Sequence, residues 1–182
     1  MSKLHPVEIE SILNTLSIIA DTREHETQKA KRRYAIMGVP VNRAKLDYGD
    51  YTFNLSLLSG EMLYDIENPV FPRCVIERKE SLDELAECFT RSRERFTREF
   101  ERAKEQNAKV YLLVENATWE NLINGKYRSQ FHPNAFLASI TAWMVRYNVS
   151  IIFCKEETSG RIIKELLYRE AKESLERGEY DD

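Results

Sequence analysis

Short apolar runs that each lead into an acid constrain this chain more than any other feature. Ser17-Ile-Ile-Ala-Asp21 is one, and Val110-Tyr-Leu-Leu-Val114, followed by Glu115, is another. Val75-Ile76 leads straight into Glu77-Arg78-Lys79. A continuous apolar run suits a buried strand, the strand type of sheets covered on both faces. An acid at its carboxyl end opens onto a site. Between these runs lie stretches with helical spacing. Ile9, Ile12, Leu13 and Leu16 give one apolar face behind Pro6. Residues 24–37 read as a helix stopped by Gly38, a C′ glycine. Ser81-Leu-Asp-Glu84 is a capping-box pattern that opens a helix, or two helices broken near Thr90, running to Gln106. A helix is expected from Pro133 to Tyr147, and a last one carries Ile162, Ile163, Leu166, Leu167, Ala171 and Leu175. Strands alternating with helices predict an α/β fold with a mixed central sheet flanked by helices.

The remaining segments are read more coarsely. Residues 43–55 alternate loosely around Gly49-Asp50, predicting two strands or one bent strand. A hairpin or loop is expected over 56–72, a strand over 73–78, a polar loop around Gly125 and a last strand over 149–154. The 182 residues fit one domain. Its expected parts are a helical extension over 1–16, a core over 17–176 and a frayed tail over 177–182.

Charge and cysteine usage exclude several classes. Lys and Arg total 27 against 30 Asp and Glu, a net charge of −3, so the chain is no generic polycation. Any nucleic-acid contact must come from a local patch. The three cysteines contain no CxxC pair, which argues against a disulfide framework or a cysteine zinc site and for a reducing, cytoplasmic compartment. The start lacks the apolar core of a signal peptide. No apolar run approaches the roughly 20 residues a membrane span needs, so no membrane partner is expected.

Chemistry concentrates at Glu77-Arg78-Lys79. Strand alternation puts Glu77 and Lys79 on one face and Arg78 on the other. A carboxylate can hold a divalent cation while the lysine orients a water or stabilises a developing anion, the parts that metal-assisted phosphodiester hydrolysis needs. Two or three carboxylates suffice for Mg²⁺, which keeps several waters. Glu-x-Lys alone reads as a salt bridge on a strand end. Its company alters that reading, because Asp21-Thr-Arg23-Glu24 and Gly49-Asp50-Tyr51 add acids at neighbouring strand ends.

Taken together, Asp21-Thr-Arg23-Glu24, Gly49-Asp50-Tyr51, Glu77-Arg78-Lys79-Glu-Ser-Leu-Asp83 and the later Arg95-Phe96 resemble the nuclease domain of XPF-family structure-specific endonucleases. The resemblance covers roughly residues 17–176. It implies a restriction-endonuclease-like fold of the PD-(D/E)xK type and a Mg²⁺- or Mn²⁺-dependent endonuclease acting on branched DNA. Asp50 and Glu77 would be the main metal ligands, joined by the Arg78 carbonyl. Lys79 would orient or activate the attacking water. Asp21 and Glu24 would be nearby acids that hold metal-bound water or position basic neighbours, with Asp21 counted beside Asp50 and Glu77 at the metal. Arg23 and Arg78 would meet a phosphate or brace the site, and Asp83 would brace a cation in the motif or favour the helix dipole. Members dimerise through their last helices, so a homodimer or heterodimer is expected. Many members also carry a helix-hairpin-helix module that is missing from this sequence, and the stretch from Tyr51 to Cys74 is long for the family. Such a stripped-down form would suit a virus, phage or mobile element. The competing readings are a catalytically silent DNA-binding or scaffold subunit and a restriction-like enzyme cutting specific duplex sequences.

Two basic stretches are candidates for DNA. Lys29-Ala-Lys31-Arg32-Arg33 reads as a phosphate-contact face or as a solvated helix face. Arg91, Arg95, Arg98 and Arg102 share one face if their helix is continuous, with Glu87, Glu94 and Glu101 beside them for ion pairs. Arg95 is favoured for DNA by the resemblance. His25 is a partly exposed turn residue beside the acidic motif, and His5 and His132 have no metal-ligand spacing. Phe136, Trp143 and Tyr147 form a helical stripe suited to core packing or to a dimer interface.

Overall fold

A computed structural model describes residues 4–180. Six strands form one mixed sheet in the order β2-β1-β3-β4-β5-β6, with helices against it. The chain divides into two compact units, one holding β1–β3 and the other β4–β6.

Among the described residues, the first unit comprises 4–46, 51–70 and 160–180. It opens on α1 (Pro6–Leu13), where His5 and Glu8 cap the first turn reciprocally. Strand β1 (Ser17–Asp21) is buried throughout, as its unbroken apolar run predicts. Helix α2 (Gln28–Met37) starts four residues later than the sequence pattern suggests. Thr27 accepts from the Ala30 N–H as N-cap, while Arg43 holds the carbonyls of Thr22 and Glu24 in the preceding turn. Those bonds give residues 22–27 a better outlet for their polar backbone than a further helical turn. Gly38 ends α2 with φ +67°, as expected of a C′ glycine.

Residues 43–55 resolve into two strands. β2 (Val41–Ala44) runs parallel to β1, and β3 (Tyr51–Asn54) runs antiparallel to it with Ile18 opposite Phe53. The 55–70 segment is a loop closed by an isolated Ser56–Met62 bridge and pinned by the Asn54 side chain, which bonds both the N–H and the C=O of Tyr64. Helix α7 (Glu156–Glu176) buries Ile163, Leu167, Ala171 and Leu175 in this unit. Of the expected frayed tail, residues 181–182 lie outside the described residues.

The second unit comprises residues 47–50 and 71–159. Strands β4 (Cys74–Lys79), β5 (Lys109–Glu115) and β6 (Ser150–Cys154) are all parallel. The long helical pattern is two helices, α3 (Leu82–Phe89) and α4 (Arg93–Glu105), because Thr90 leaves helical geometry at φ −117°, ψ −90°. Arg91 therefore falls outside the arginine row. A five-residue helix, α5 (Trp119–Ile123), occupies part of the expected polar loop and buries only Leu122, which explains its faint apolar signal. Helix α6 (Pro133–Tyr147) points Phe136, Trp143 and Tyr147 inward. They meet Phe89, Phe96 and Phe100 in edge-to-face, stacked and tilted pairs, so the stripe is core. Among the described residues, no helix is long and apolar enough to cross a membrane.

Candidate active site

The Glu77-Arg78-Lys79 set lies at the carboxyl end of β4. Apolar Val75 and Ile76 are fully buried, which carries Glu77 inside to 3% exposure. Two residues on, as strand alternation requires, Lys79 lies on the same face and its Nζ meets Glu77 Oε1 at 2.6 Å. The other Glu77 oxygen, Oε2, is buried without a hydrogen-bond partner. A buried carboxylate oxygen with no donor is costly unless a cation or another donor faces it. Glu84 adds a carboxylate oxygen 3.8 Å from Lys79 Nζ, and the Phe96 ring lies 5.6 Å from the same nitrogen. Burial by itself would lower the Lys79 pKa. The carboxylates of Glu77 and Asp50 outweigh it and hold the group well above its ordinary value, so Lys79 stands here as an ammonium.

Asp50 comes to this strand end on a tight turn, residues 47–50. Its N–H donates to the Ile76 carbonyl at 2.8 Å, and its Oδ2 accepts the Arg78 N–H at 2.7 Å. Asp50 thus brackets Glu77 from the two backbone groups on either side of it. The turn depends on Gly49, which has φ +73°; a Cβ there would stand 2.1 Å from Val75 Cγ2. Overpacking costs about 1–3 kcal/mol and a left-handed non-glycine residue about 1–2 kcal/mol. Gly49→Ala is therefore expected to destabilise the protein by about 2–5 kcal/mol in urea unfolding. Val75→Ala should partly rescue it, giving a double variant more stable than the two single losses combined.

Arg78 points to the opposite face, where its Nη1 meets Glu115 Oε2 at 3.0 Å. Glu115 ends β5 and is fully buried. Asp83, in the first turn of α3, accepts from the backbone N–H groups of Arg128 and Ser129 at 2.7 Å each and pairs with the Arg128 guanidinium. These partners lie in the 128–129 loop, outside the Glu77-Arg78-Lys79 motif in which the resemblance puts the braced cation. Cys88, on α3, has its thiol pushed up to about 11, chiefly by burial. At pH 8 such a thiol is roughly 10⁻³ ionised, against about a quarter for an ordinary cysteine. Iodoacetamide should alkylate Cys88 about 100-fold more slowly than a free thiol in metal-free protein, read by peptide mass spectrometry.

The first unit places the other predicted acids. Asp21 is buried and both its oxygens are engaged: Oδ1 by the Arg23 N–H and Nε, Oδ2 by Arg23 Nη2 and the Leu46 N–H. Glu24 Oε2 lies 3.5 Å from the Tyr51 hydroxyl, which also accepts from Arg33 at 3.1 Å. Arg33 is buried, so only Lys29, Lys31 and Arg32 of the basic stretch face solvent. On α4, Arg95 and Arg98 are exposed, while Arg102 is drawn to Asp47.

Three participants escaped the sequence reading. Glu115 had a signal, an acid closing an apolar run. Glu84 was read as half of a capping box. Ser81 does cap the Glu84 N–H, but the Glu84 carboxylate accepts from the Glu80 N–H and also stands beside Lys79. Glu99 on α4 accepts the Gly49 N–H at 3.1 Å, a contact 50 residues away in sequence that no local pattern announces.

The donor set fits a hard cation. Among the described residues no three His, Cys, Asp or Glu side chains converge into a ready-made cage. Asp50 and the unpartnered Glu77 oxygen offer carboxylate ligands only, which matches Mg²⁺ or Mn²⁺ retaining water and not a structural zinc site.

The chain thus carries a buried Glu-x-Lys pair at the end of β4 and an aspartate on the adjoining turn. Residues 20–166 match the ERCC4 domain, and the chain belongs to that family, the nuclease-domain family of XPF proteins. Among the solved structures that resemble it are XPF from Aeropyrum pernix and the same protein in complex with DNA. Both are 20% identical, with TM-scores of 0.57 and 0.58 over 82% and 86% of this chain. The chain spans 64% and 65% of their lengths, just under two thirds. No curated protein matches the sequence.

Proposed function

We propose that this chain is a divalent-metal-dependent DNA endonuclease domain that hydrolyses phosphodiester bonds at branches such as flaps, forks or junctions. The observation that carries the reading is the buried Glu77 carboxylate, with one oxygen on Lys79 and the other unpartnered, bracketed by Asp50. An acid site repels phosphate by itself, so these carboxylates suit catalysis only with a cation. Asp50 and Glu77 would hold Mg²⁺ or Mn²⁺, with the Arg78 carbonyl beside them. The bound metal would supply a lowered water pKa and charge neutralisation at the phosphate. The Lys79 ammonium, fixed by Glu77, would orient the attacking water and offset charge developing on the phosphate oxygens.

The other residues take supporting parts. Arg78 braces the strand end through Glu115. Asp21 fixes the half-exposed Arg23 guanidinium, which would meet a phosphate. Glu24 steadies the loop after β1 near Tyr51. Exposed Lys31, Arg32 and Arg95 would contact DNA phosphates. The XPF homologue solved with DNA supports a DNA partner for this chain. Family resemblance also supports a dimer through the last helices.

The test is cleavage of labelled 3′-flap, splayed-arm, duplex and single-stranded DNA in Mg²⁺, Mn²⁺ or EDTA, with Glu77→Gln beside the wild type. Metal-dependent cuts near the branch, lost in the variant, are expected. DNA binding without cleavage in either metal would overturn catalysis and leave a silent DNA-binding subunit. Discrete bands from linear duplex alone would replace branch specificity with sequence specificity.

A further inference from the structure

Each residue of the 47–50 turn is held by a different group, and two of the holds come from one helix. Tyr48 donates its hydroxyl to the Pro72 carbonyl at 2.6 Å, and Asp50 is bonded to β4. Helix α4 grips the other two. Glu99 Oε1 accepts the Gly49 N–H, while Arg102 donates Nε to Asp47 Oδ2 at 3.1 Å and Nη2 to the Asp47 carbonyl at 2.8 Å. Glu99 and Arg102 are three residues apart, so both reach the same side of the helix.

The turn is packed against β4 at Gly49, where a Cβ on the glycine would stand 2.1 Å from Val75 Cγ2. A cavity of about 10 Å³ lies beside it, lined by Gly49, Val75, Glu77, Glu99, Phe100 and Ala103 among others. That is about the size of one water. Truncating Glu99 would enlarge this void and remove the acceptor that keeps Gly49 in place.

We infer that Glu99 and Arg102 form a clamp that positions Asp50 against Glu77, and that this clamp sets the cation affinity of the site. The inference rests on the function proposed above for its metal, but not for its geometry. Glu99 and Arg102 are positioning residues: they act through the Asp47–Gly49 backbone and do not touch substrate.

Amide hydrogen exchange in metal-free protein tests the geometry. The readout is the Asp50 N–H and the Arg78 N–H, neither of which bonds to α4. In Glu99→Ala/Arg102→Ala both should exchange about tenfold faster, while Leu112 and Leu113 of β5 keep their protection. Glu99→Gln, which retains a carbonyl acceptor, should stay near wild type. Unchanged exchange at Asp50 and Arg78, equal loss in β5, or a Glu99→Gln variant as damaged as Glu99→Ala would overturn the clamp. If the double variant does not fold, the single alanine variants are judged by the same criterion. Calorimetric titration with Mn²⁺ tests the link to the metal. The double variant should bind about 10–100-fold more weakly, the usual cost of losing support behind a ligand. Equal Mn²⁺ affinity would overturn that link. A wild-type protein that binds no Mn²⁺ would count against the proposed function, and the exchange result would still decide the clamp.

Discussion

Glu77→Gln is expected to reduce cleavage at least about 10³-fold, equivalent to about 4 kcal/mol of transition-state stabilisation. The same change should leave the protein folded and tighten its grip on DNA. Cleavage falls because the amide replaces a carboxylate oxygen that has no hydrogen-bond partner and that would hold the cation under the proposed function. The fold survives because the amide carbonyl can still accept from Lys79, and because one charge leaves a strand end already crowded by Asp50, Glu84 and Glu99. DNA binding rises because, without metal, each carboxylate repels phosphate; a few-fold gain is expected in EDTA, read by fluorescence anisotropy at fixed salt. A variant that cuts at the wild-type rate would place the chemistry elsewhere. A variant that neither folds nor binds would make Glu77 structural, the ordinary role of an acid paired with a lysine.

How much of this was legible in the sequence follows from the range of the interactions. Strand β1 and the central part of β5 declare themselves because their apolar residues are consecutive and both faces are covered. The Glu77–Lys79 pair is legible because a period of two fixes it within one strand. Gly49-Asp50 stood out as a break, but only the fold reveals why glycine is required, since the obstacle is Val75 on another strand. Start and stop of α2 divide in the same way. Gly38 is read from the chain itself, whereas the late start depends on Arg43 holding residues 22 and 24. Asp21 and Glu77 look alike in sequence, each an acid after an apolar run. The structure separates them by their partners: Asp21 has both oxygens engaged by Arg23 and Leu46, and Glu77 has one oxygen unpartnered.

Glu115→Ala should cost about 3–5 kcal/mol of stability, although Glu115 takes no part in the proposed chemistry. Its carboxylate is fully buried and faces the Arg78 guanidinium at 3.0 Å, itself only 12% exposed. Removing one partner of such a pair leaves the other charge buried and uncompensated, which costs more than the pair contributes when intact. For a domain of this size the melting temperature should fall by roughly 6–20 °C. Replacing both partners with apolar residues separates this cause from simple loss of packing. Arg78→Met/Glu115→Leu should recover most of the stability, because neither charge then remains to be desolvated. If the double variant melts as low as Glu115→Ala, the loss lies in strand packing and the ion-pair account is wrong. If it melts near wild type, its cleavage rate becomes informative. Arg78 follows Glu77 directly and its N–H holds Asp50, so the backbone of the site should survive the exchange of both side chains. Retained activity would then confine Arg78 to bracing the strand end, and lost activity in a stable protein would assign its guanidinium to the phosphate.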